Sequence, residues 1–454
     1  MPQLKPITAI GYPVPTDGDL SSRIAPPYDV LDESGKAQLL DQSDENIAVV
    51  DLPHLPAKTV GPDEVYVKAG QTFGHWLATG VLQRRDTPAL FAYRQTYTAP
   101  QPDGVVRIFK RSGFFANVQV TAAEGRSGSD GDAAGGVYEH EQTFGPAKLD
   151  RLNLMQATGA QLSPIFGLHS DPQGYVDGLL APILARCPSF HGTTAHDGVL
   201  HEVWTIEDAK LISALTSAFE NKHIFIADGH HRFNTAINYI NGLEKVKGPL
   251  AADHPARFCL FVLVSMQDPG MIVLPTHRVL GGMLEFSMKR LATASEGLLH
   301  IKPFAGTDLM ALEAALPASG YHAIGLYDPA RPEAPLHIAT TVEQDPLADG
   351  FSRRAAVWRE LDVVIVQHLI VEQICQPTFC KPDQQAAGVQ WRYPHTLGQL
   401  KATADHLDFQ VGIIVQPTPL ESVRKVSEAG ELMPPKSTFF YPKLATGLVI
   451  NPIS

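Results

Sequence analysis

The sequence predicts a mixed α/β protein of more than one domain, and three observations carry that prediction. At 454 residues the chain is too long for one ordinary core. Between residues 195 and 280, apolar strand-like runs alternate with helix-period patterns: Leu200 to Ile206, Asp208 to Phe219, Ile224 to Ile226, Phe233 to Ile240 and Arg257 to Met266. Farther on, Arg353 to Cys375 is a long helix pattern, in which Leu361, Val364, Ile365, His368, Leu369 and Glu372 include a core face.

The elements follow in chain order. Prolines at 26 and 27 hold Ile24 to Val30 extended at its start, since each restrains itself and its predecessor. Asp32-Glu33-Ser34 then opens a helix, and Val65 to Leu82 is a second, amphipathic one. Ala89 to Gln95 and Arg111 to Ala116 are expected strands and antiparallel neighbours. Residues 124–136, rich in Gly, Ser and Asp, form an expected flexible loop or lid, and Lys148 to Leu154 a helix of mixed charge. Met271 to Leu274 is a strand closed by Thr276-His277-Arg278. A helix over 308–316, a strand over 322–327, a strand at Val411 to Val415 and a helix from Leu420 to Glu428 complete the pattern. This organisation divides into an N-terminal α/β lobe over 1–194, a core over 195–281 and a C-terminal α/β lobe over 282–454, without an internal repeat.

Composition narrows the function classes. Hydrophobic residues are 44% and charged residues 19%, as in a soluble globular protein. The formal net charge of -12 lacks the basic footprint of a DNA-coating protein, so nucleic acid is a disfavoured partner. No apolar run approaches the ~20 residues that span a bilayer, and the N-terminus has no apolar signal core. Cys187, Cys259, Cys375 and Cys380 complete no zinc motif; free thiols in a reducing cytoplasm are expected. Gly-x-Ser-x-Gly, His-Glu-x-x-His and Gly-x-Gly-x-x-Gly are all absent.

The chemistry concentrates at Ile224-Phe225-Ile226-Ala227-Asp228-Gly229-His230-His231-Arg232. An apolar strand runs into a polar loop and then a helix start, whose N–H groups favour an anion such as phosphate. Gly229 lets backbone approach a ligand, and Arg232 can fork two hydrogen bonds to phosphate oxygens. His230 and His231 can donate or accept, while Asp228 can hold Mg²⁺ or take a hydroxyl proton. Four further groups are candidates. His140-Glu141, with Lys148, Asp150 and Arg151, offers a general base in Glu141; the competing reading is a salt-bridged helix start with Asp150 and Arg151 in surface pairs. Thr276, His277 and Arg278 stand at a strand end, where α/β proteins bind ligands. Lys436, Ser437 and Thr438, with Lys443, echo the end of a P-loop. Pro435 replaces the glycine before the lysine, which excludes a P-loop NTPase but leaves a lysine for an anion site. Tyr28 and Asp29 present an aromatic and a carboxylate on a rigid turn.

Taken together, Ala25-Pro26-Pro27-Tyr28-Asp29-Val30, His140-Glu141-x-Thr143, Asp150-Arg151-Leu152, Ile226 to Arg232, Leu274 to Arg278 and Met433-Pro434-x-Lys436-Ser437-Thr438 resemble domain-of-unknown-function family 1015 across almost the whole chain. The Asp-Gly-His-His-Arg loop also resembles the nucleotide loop of the ParB/sulfiredoxin superfamily, which includes free-serine kinases. The second resemblance covers 195–280. It implies a ParB/sulfiredoxin-like core inside a larger fold, with Asp228 catalytic or metal-binding and Gly229, His230, His231 and Arg232 on phosphates. No cysteine lies beside the loop, which argues against sulfiredoxin activity.

The expected activity is therefore phosphoryl transfer between a nucleotide, ATP or ADP with Mg²⁺, and a small hydroxyl metabolite, with free L-serine the leading acceptor. Catalysis is expected from Asp228, Glu141, His230 and His231, with Asp29 in reserve as base. Phosphate contacts are expected from Gly229, His230, His231, Arg232, Thr276, His277, Arg278, Lys436, Ser437 and Thr438, and substrate contacts from Tyr28, Asp29, His140 and Arg151. Two alternatives stay open: a phosphoserine-type phosphatase with a histidine nucleophile, and a ParB-like nucleotide-gated DNA-binding protein.

Overall fold

The computed structural model describes residues 2–100, 105–120, 136–141, 143, 145–381, 388–406 and 408–453. Apart from Gly136, the loop expected over 124–136 lies outside the described residues. The fold is mixed α/β, and the chain divides into two compact units. The first comprises Met1–Glu139, Thr143–Met271 and Pro442–Ser454; the second comprises His140–Gln142 and Ile272–Tyr441.

The first unit is built on a nine-stranded mixed sheet. Its principal strands are β1 (Leu90–Pro100), β2 (Val106–Gln119), β3 (Ile165–His169), β4 (Leu200–Ile206), β5 (Ile224–Asp228) and β6 (Phe258–Ser265). Across the sheet the order is Val137–Tyr138, β5, β3, β6, β2, β1, β4, Phe190–Thr193, and Leu4–Lys5 also pairs with β2. The β3–β6 pair is parallel, and so is that of β5 with Val137–Tyr138; β3–β5, β2–β6, β1–β2 and β1–β4 are antiparallel. Strands from 1–194 and from 195–271, expected as parts of a lobe and a core, are thus neighbours in one sheet, while 272–281, expected in the same core, belongs to the second unit.

All eight residues of β6 are buried, as are the first four of β5. That explains their unbroken apolar runs: a strand covered on both faces has no polar alternation to show. Helix α1 (Gly145–Thr158) and helix α2 (His230–Lys247) belong to the same unit. Phe233, Ala236 and Ile240 of α2 are buried in the sheet core, at the helical spacing expected. The segment after Pro442 is laced into this unit by bridges from Thr446 to Ala25 and from Ile450 to Ile10, and by Asn451–Pro452 paired to Ala160–Gln161.

The second unit carries a six-stranded antiparallel sheet, ordered Leu299–Pro303, His337–Thr341, Ile324–Tyr327, Phe409–Ile414, Arg278–Gly281, Gln390–Arg392. Ile272–Leu274 pairs separately with Phe439–Tyr441. Thr276-His277-Arg278 does not close a strand as expected: Arg278 opens a new one. Pro275 lacks the N–H to continue the first. The helix expected over 353–375 is broken. A short helix Ala356–Arg359 ends at an extended Leu361, a single turn Asp362–Val364 follows, and Ile365–Cys375 is wound as a π-helix. The run Val363-Val364-Ile365-Val366 explains the weakness, because β-branched side chains crowd the preceding helical turn. Its apolar face still fills the core of this unit. Among the described residues no helix is long and apolar enough to cross a membrane.

Candidate functional site

Asp228 is the last residue of β5, and His230 is the first of α2. Gly229 alone makes the turn, at φ +99°, a conformation that L side chains rarely adopt; a Cβ there would also meet the Arg232 guanidinium at 3.1 Å. The first N–H bonded back within the helix is that of Phe233, to the Gly229 carbonyl at 3.0 Å. The N–H groups of His230, His231 and Arg232 thus form the electropositive start of the helix.

The Asp228 carboxylate sits between two cations. Lys443 Nζ donates to Oδ1 at 2.5 Å, and Arg232 Nη2 donates to Oδ2 at 2.7 Å. Burial works to raise the carboxyl pKa, yet the Lys443 ammonium and then the Arg232 guanidinium override it, against repulsion from Asp29, and hold it below its ordinary value. Arg232 Nη1 is anchored on the Pro164 carbonyl. Asp29 is ion-paired to Lys58 at 3.0 Å. His230 is buried, and its carbonyl accepts from Asn234 Nδ2; the His231 carbonyl accepts from Thr235 Oγ1.

A buried charge network lies in the same unit. Arg151 donates through Nε to Asp150 Oδ2 at 2.8 Å and through Nη1 to the Asp51 carbonyl at 2.7 Å. Asp150 Oδ1 is met by the Tyr66 hydroxyl at 2.7 Å and by His54 Nε2 at 2.8 Å. The Arg151 guanidinium lies 4.0 Å from the centroid of the Tyr28 ring. Asp150 is 0% and Arg151 6% exposed, so the surface-pair reading of these residues is wrong. The helical spacing of α1 turns both inward, where desolvated charges persist only if paired.

Asp51 is less well compensated. Ser163 Oγ approaches its carboxylate at 3.3 Å and Arg151 Nη1 at 3.4 Å, and burial outweighs both, raising its pKa. Tyr28, Asp51, Arg151, Ser163, Thr235 and Arg232 contribute to the wall of a cavity of about 40 Å³. That is room for about three water-sized groups. Among the described residues, Arg151 Nη2 and the Tyr28 hydroxyl have no hydrogen-bond partner. Arg232 belongs to both places, lining the cavity and holding Asp228.

In the second unit, Glu141 Oε1 accepts from the N–H groups of Ser437 at 3.1 Å and Thr438 at 3.2 Å, and from Thr438 Oγ1 at 3.2 Å. Lys436, at φ +63°, turns the backbone so that successive N–H groups converge on one carboxylate oxygen. His140 Nε2 lies 3.1 Å from Thr438 Oγ1. Thr276, His277, Arg278 and Ser437 are buried at 1–2% exposure. Arg278 donates to the Lys436 carbonyl at 3.1 Å and stacks on Tyr393; burial lowers its pKa to about 10. His277 Nδ1 accepts from the Val415 N–H at 3.3 Å, and burial lowers its pKa to about 4. The expected phosphate contacts at Thr276 to Arg278 and Ser437 are thus side chains engaged within their own unit.

A resident metal fits poorly here. Both Asp228 oxygens are already on cations, and among the described residues no group of three or more His, Cys, Asp or Glu side chains could hold an ion.

The family model described as protein of unknown function (DUF1015) matches residues 4–364. The chain belongs to that family. No curated protein matches it. Among solved structures, this DUF1015 chain is similar to a mutant free serine kinase in complex with AMP, at TM-score 0.34 and 11% identity over 69% of this chain and 90% of the other. It is similar to a conserved hypothetical protein from Pyrococcus furiosus, at TM-score 0.32 and 16% identity over 69% and 93%. It is also similar to C-terminally truncated SbnI from Staphylococcus aureus, at TM-score 0.32 and 10% identity over 69% and 82%.

Sequence reasoning about this DUF1015 protein missed Lys443 and Asp51. In sequence Lys443 stands only as a companion of Lys436, and its carboxylate partner is 215 positions away. Asp51 had a usable signal: an acid directly after the apolar run Ile47-Ala48-Val49-Val50.

Proposed function

We propose that the first unit carries a phosphoryl-transfer site centred on Asp228, moving phosphate from ATP or ADP to a small hydroxyl metabolite. The observation that carries this reading is the placement of Asp228 between Lys443 and Arg232 at the start of α2. Phosphoryl transfer asks the protein mainly for positioning and for positive charge on the equatorial oxygens. Lys443, Arg232 and the N–H groups of α2 supply that charge. Asp228 holds the two side chains in place and, being kept ionised by them, is a weak proton acceptor.

The proton acceptor in this reading is Asp29. The acceptor hydroxyl attacks the terminal phosphorus, a new P–O bond forms, the bridging P–O bond breaks to release ADP or AMP, and the hydroxyl proton passes to the Asp29 carboxylate. Glu141, the first choice from sequence, is less suited, because one of its oxygens already accepts three hydrogen bonds. Mg²⁺ enters with the nucleotide, carried on phosphate oxygens as is usual for this ion.

The cavity beside Arg232 is too small for a whole amino acid, and it supports an acceptor that lodges only its charged end there, L-serine first. The open edge of Arg151 suits a carboxylate, and the under-compensated Asp51 suits an ammonium.

The test is ³¹P NMR of the protein with Mg²⁺, ATP, ADP or CTP, and an amino-acid pool containing serine. The expected result is a new phosphomonoester signal, lost in Asp228→Asn and Lys443→Met. No transfer with any donor overturns the kinase reading. Release of free phosphate from added phosphoserine replaces it with a phosphatase.

A further inference from the structure

Gln95 and Arg111 are directly opposed on β1 and β2, and both are buried, at 0% and 1% exposure. A glutamine–arginine pair in the middle of a sheet is a costly choice, since burial lowers the arginine's pKa and an apolar pair would pack there without desolvating a charge. What the pair holds is informative. Arg111 Nε donates to Gln95 Oε1 at 3.1 Å, and Nη2 donates to the same oxygen. Arg111 Nη2 also donates to the Pro442 carbonyl at 2.6 Å, and Gln95 Nε2 donates to the Lys443 carbonyl at 2.8 Å. Two successive carbonyls of one strap are therefore gripped by one cross-strand pair. The arginine fixes the orientation of the glutamine, since its two contacts on Oε1 leave Nε2 to face Lys443.

Both ends of the Lys443–Asp228 ion pair are reached from this point. The Arg111 guanidinium lies 4.6 Å from the centroid of the Phe166 ring, and Phe166 on β3 is the register partner of Asp228 on β5. From the other side, the gripped carbonyl belongs to the residue whose Nζ lies 2.5 Å from Asp228.

We propose that Gln95 and Arg111 are positioning residues for Lys443. They fix its backbone so that the ammonium sits on Asp228 and faces the site, and neither touches the reacting atoms. Only the consequence for turnover rests on the phosphoryl-transfer reading; the geometric claim stands without it.

The experiment is competitive acetylation of lysines in the full-length protein, read by mass spectrometry, in wild type, Gln95→Leu and Gln95→Glu. Gln95→Glu keeps Arg111 paired, now with a carboxylate, while replacing the donor to the Lys443 carbonyl with an acceptor, so the sheet retains its cation's partner. Lys222, ion-paired to Asp171 in the same unit, is the internal control. Asp228→Asn, with Gln95 and Arg111 intact, calibrates the signal of Lys443 when its Asp228 ion pair is lost. The expected result is acetylation of Lys443 about fivefold to tenfold faster in both variants, the size of one lost hydrogen bond, with Lys222 unchanged. In any transfer assay the same variants lower kcat and leave KM for the acceptor near its wild-type value. Lys443 reactivity unchanged in Gln95→Glu overturns the proposal, as does a rise shared equally by Lys222, which marks general loosening. If acetylation responds as expected while no nucleotide supports transfer, the clamp stands and the proposed function fails.

Discussion

Lys443 Nζ and Asp228 Oδ1 lie 2.5 Å apart although 215 positions separate them in the chain. Removing either charge takes an oppositely charged contact from the other, which stays partly buried. Lys443→Met is expected to lower phosphoryl transfer about a hundredfold or more, the usual scale for losing one donor to a developing charge. It is also expected to destabilise the first unit by about 2 kcal/mol. Rates by ³¹P NMR and urea unfolding of the same samples check both numbers.

Asp29 and Glu141 make opposite predictions as proton acceptors. Asp29→Asn is expected to lower kcat about a hundredfold with little change in the unfolding midpoint. Glu141→Gln keeps an oxygen for the Ser437 and Thr438 N–H groups and is expected to retain most activity. If Glu141→Gln abolishes transfer while Asp29→Asn does not, the assignment is reversed.

Gly229→Ala tests the turn. Its φ of +99° and the 3.1 Å approach of Arg232 to a Cβ are both unfavourable for alanine. The expected cost is about 1–2 kcal/mol. Transfer is expected to fall as well, because the added methyl presses on the guanidinium that holds Asp228. Full activity in this variant would show that Arg232 is free to move without consequence.

Acid sensitivity follows from buried histidines. Burial lowers the pKa of His169 to about 4 and of His201 to about 3, against an ordinary 6.5. Between the two values the unfolded chain binds protons that the folded chain does not, so stability falls as pH drops from 6.5 toward 4. For His169 alone the loss is about 3 kcal/mol across that window. Asp228, with a lowered carboxyl pKa, adds a loss of the same sign as pH falls through its folded-state value. Thermal midpoints measured from pH 7 to 4 are expected to decline less steeply in His169→Phe, whose ring can keep the edge contact to Phe219.

Arg151→Met is expected to cost about 3–5 kcal/mol, because it removes the buried cation that pairs with Asp150 and Asp51. Urea unfolding measures this directly. A near-neutral result would mean that water reaches both carboxylates.

The strand, turn and helix around Asp228 are legible in the sequence because the apolar period changes from continuous to helical across a single glycine. So is the pairing of the strands around Phe91 and Phe115, since both carry unbroken apolar residues. The interrupted helix at 353–375 is not legible from periodicity alone; a core face repeats at similar spacing whether or not the backbone breaks at Leu361. The candidate site is legible at Arg232 and Asp228, whose spacing of four residues brings them into the ion pair seen in the structure. It is illegible at Lys443, Asp51 and Gln95, whose partners are distant in the chain. Charge alone leaves Asp150 and Arg151 open between a polar site and surface pairs, and only packing shows them desolvated.

The pairing of Ile272 with Tyr441 has a consequence in polymer terms. Taken bare, bringing Lys443 to Asp228 closes a loop of 215 positions. Once Ile272 and Tyr441 are paired, the intervening chain is short-circuited, and the loop left to close is roughly 45 residues. On a logarithmic closure law that saves about 1.3 kcal/mol of chain entropy. The pairing of Ile272 with Tyr441 therefore acts as a chain shortcut, making a long-range ion pair behave entropically as a mid-range one.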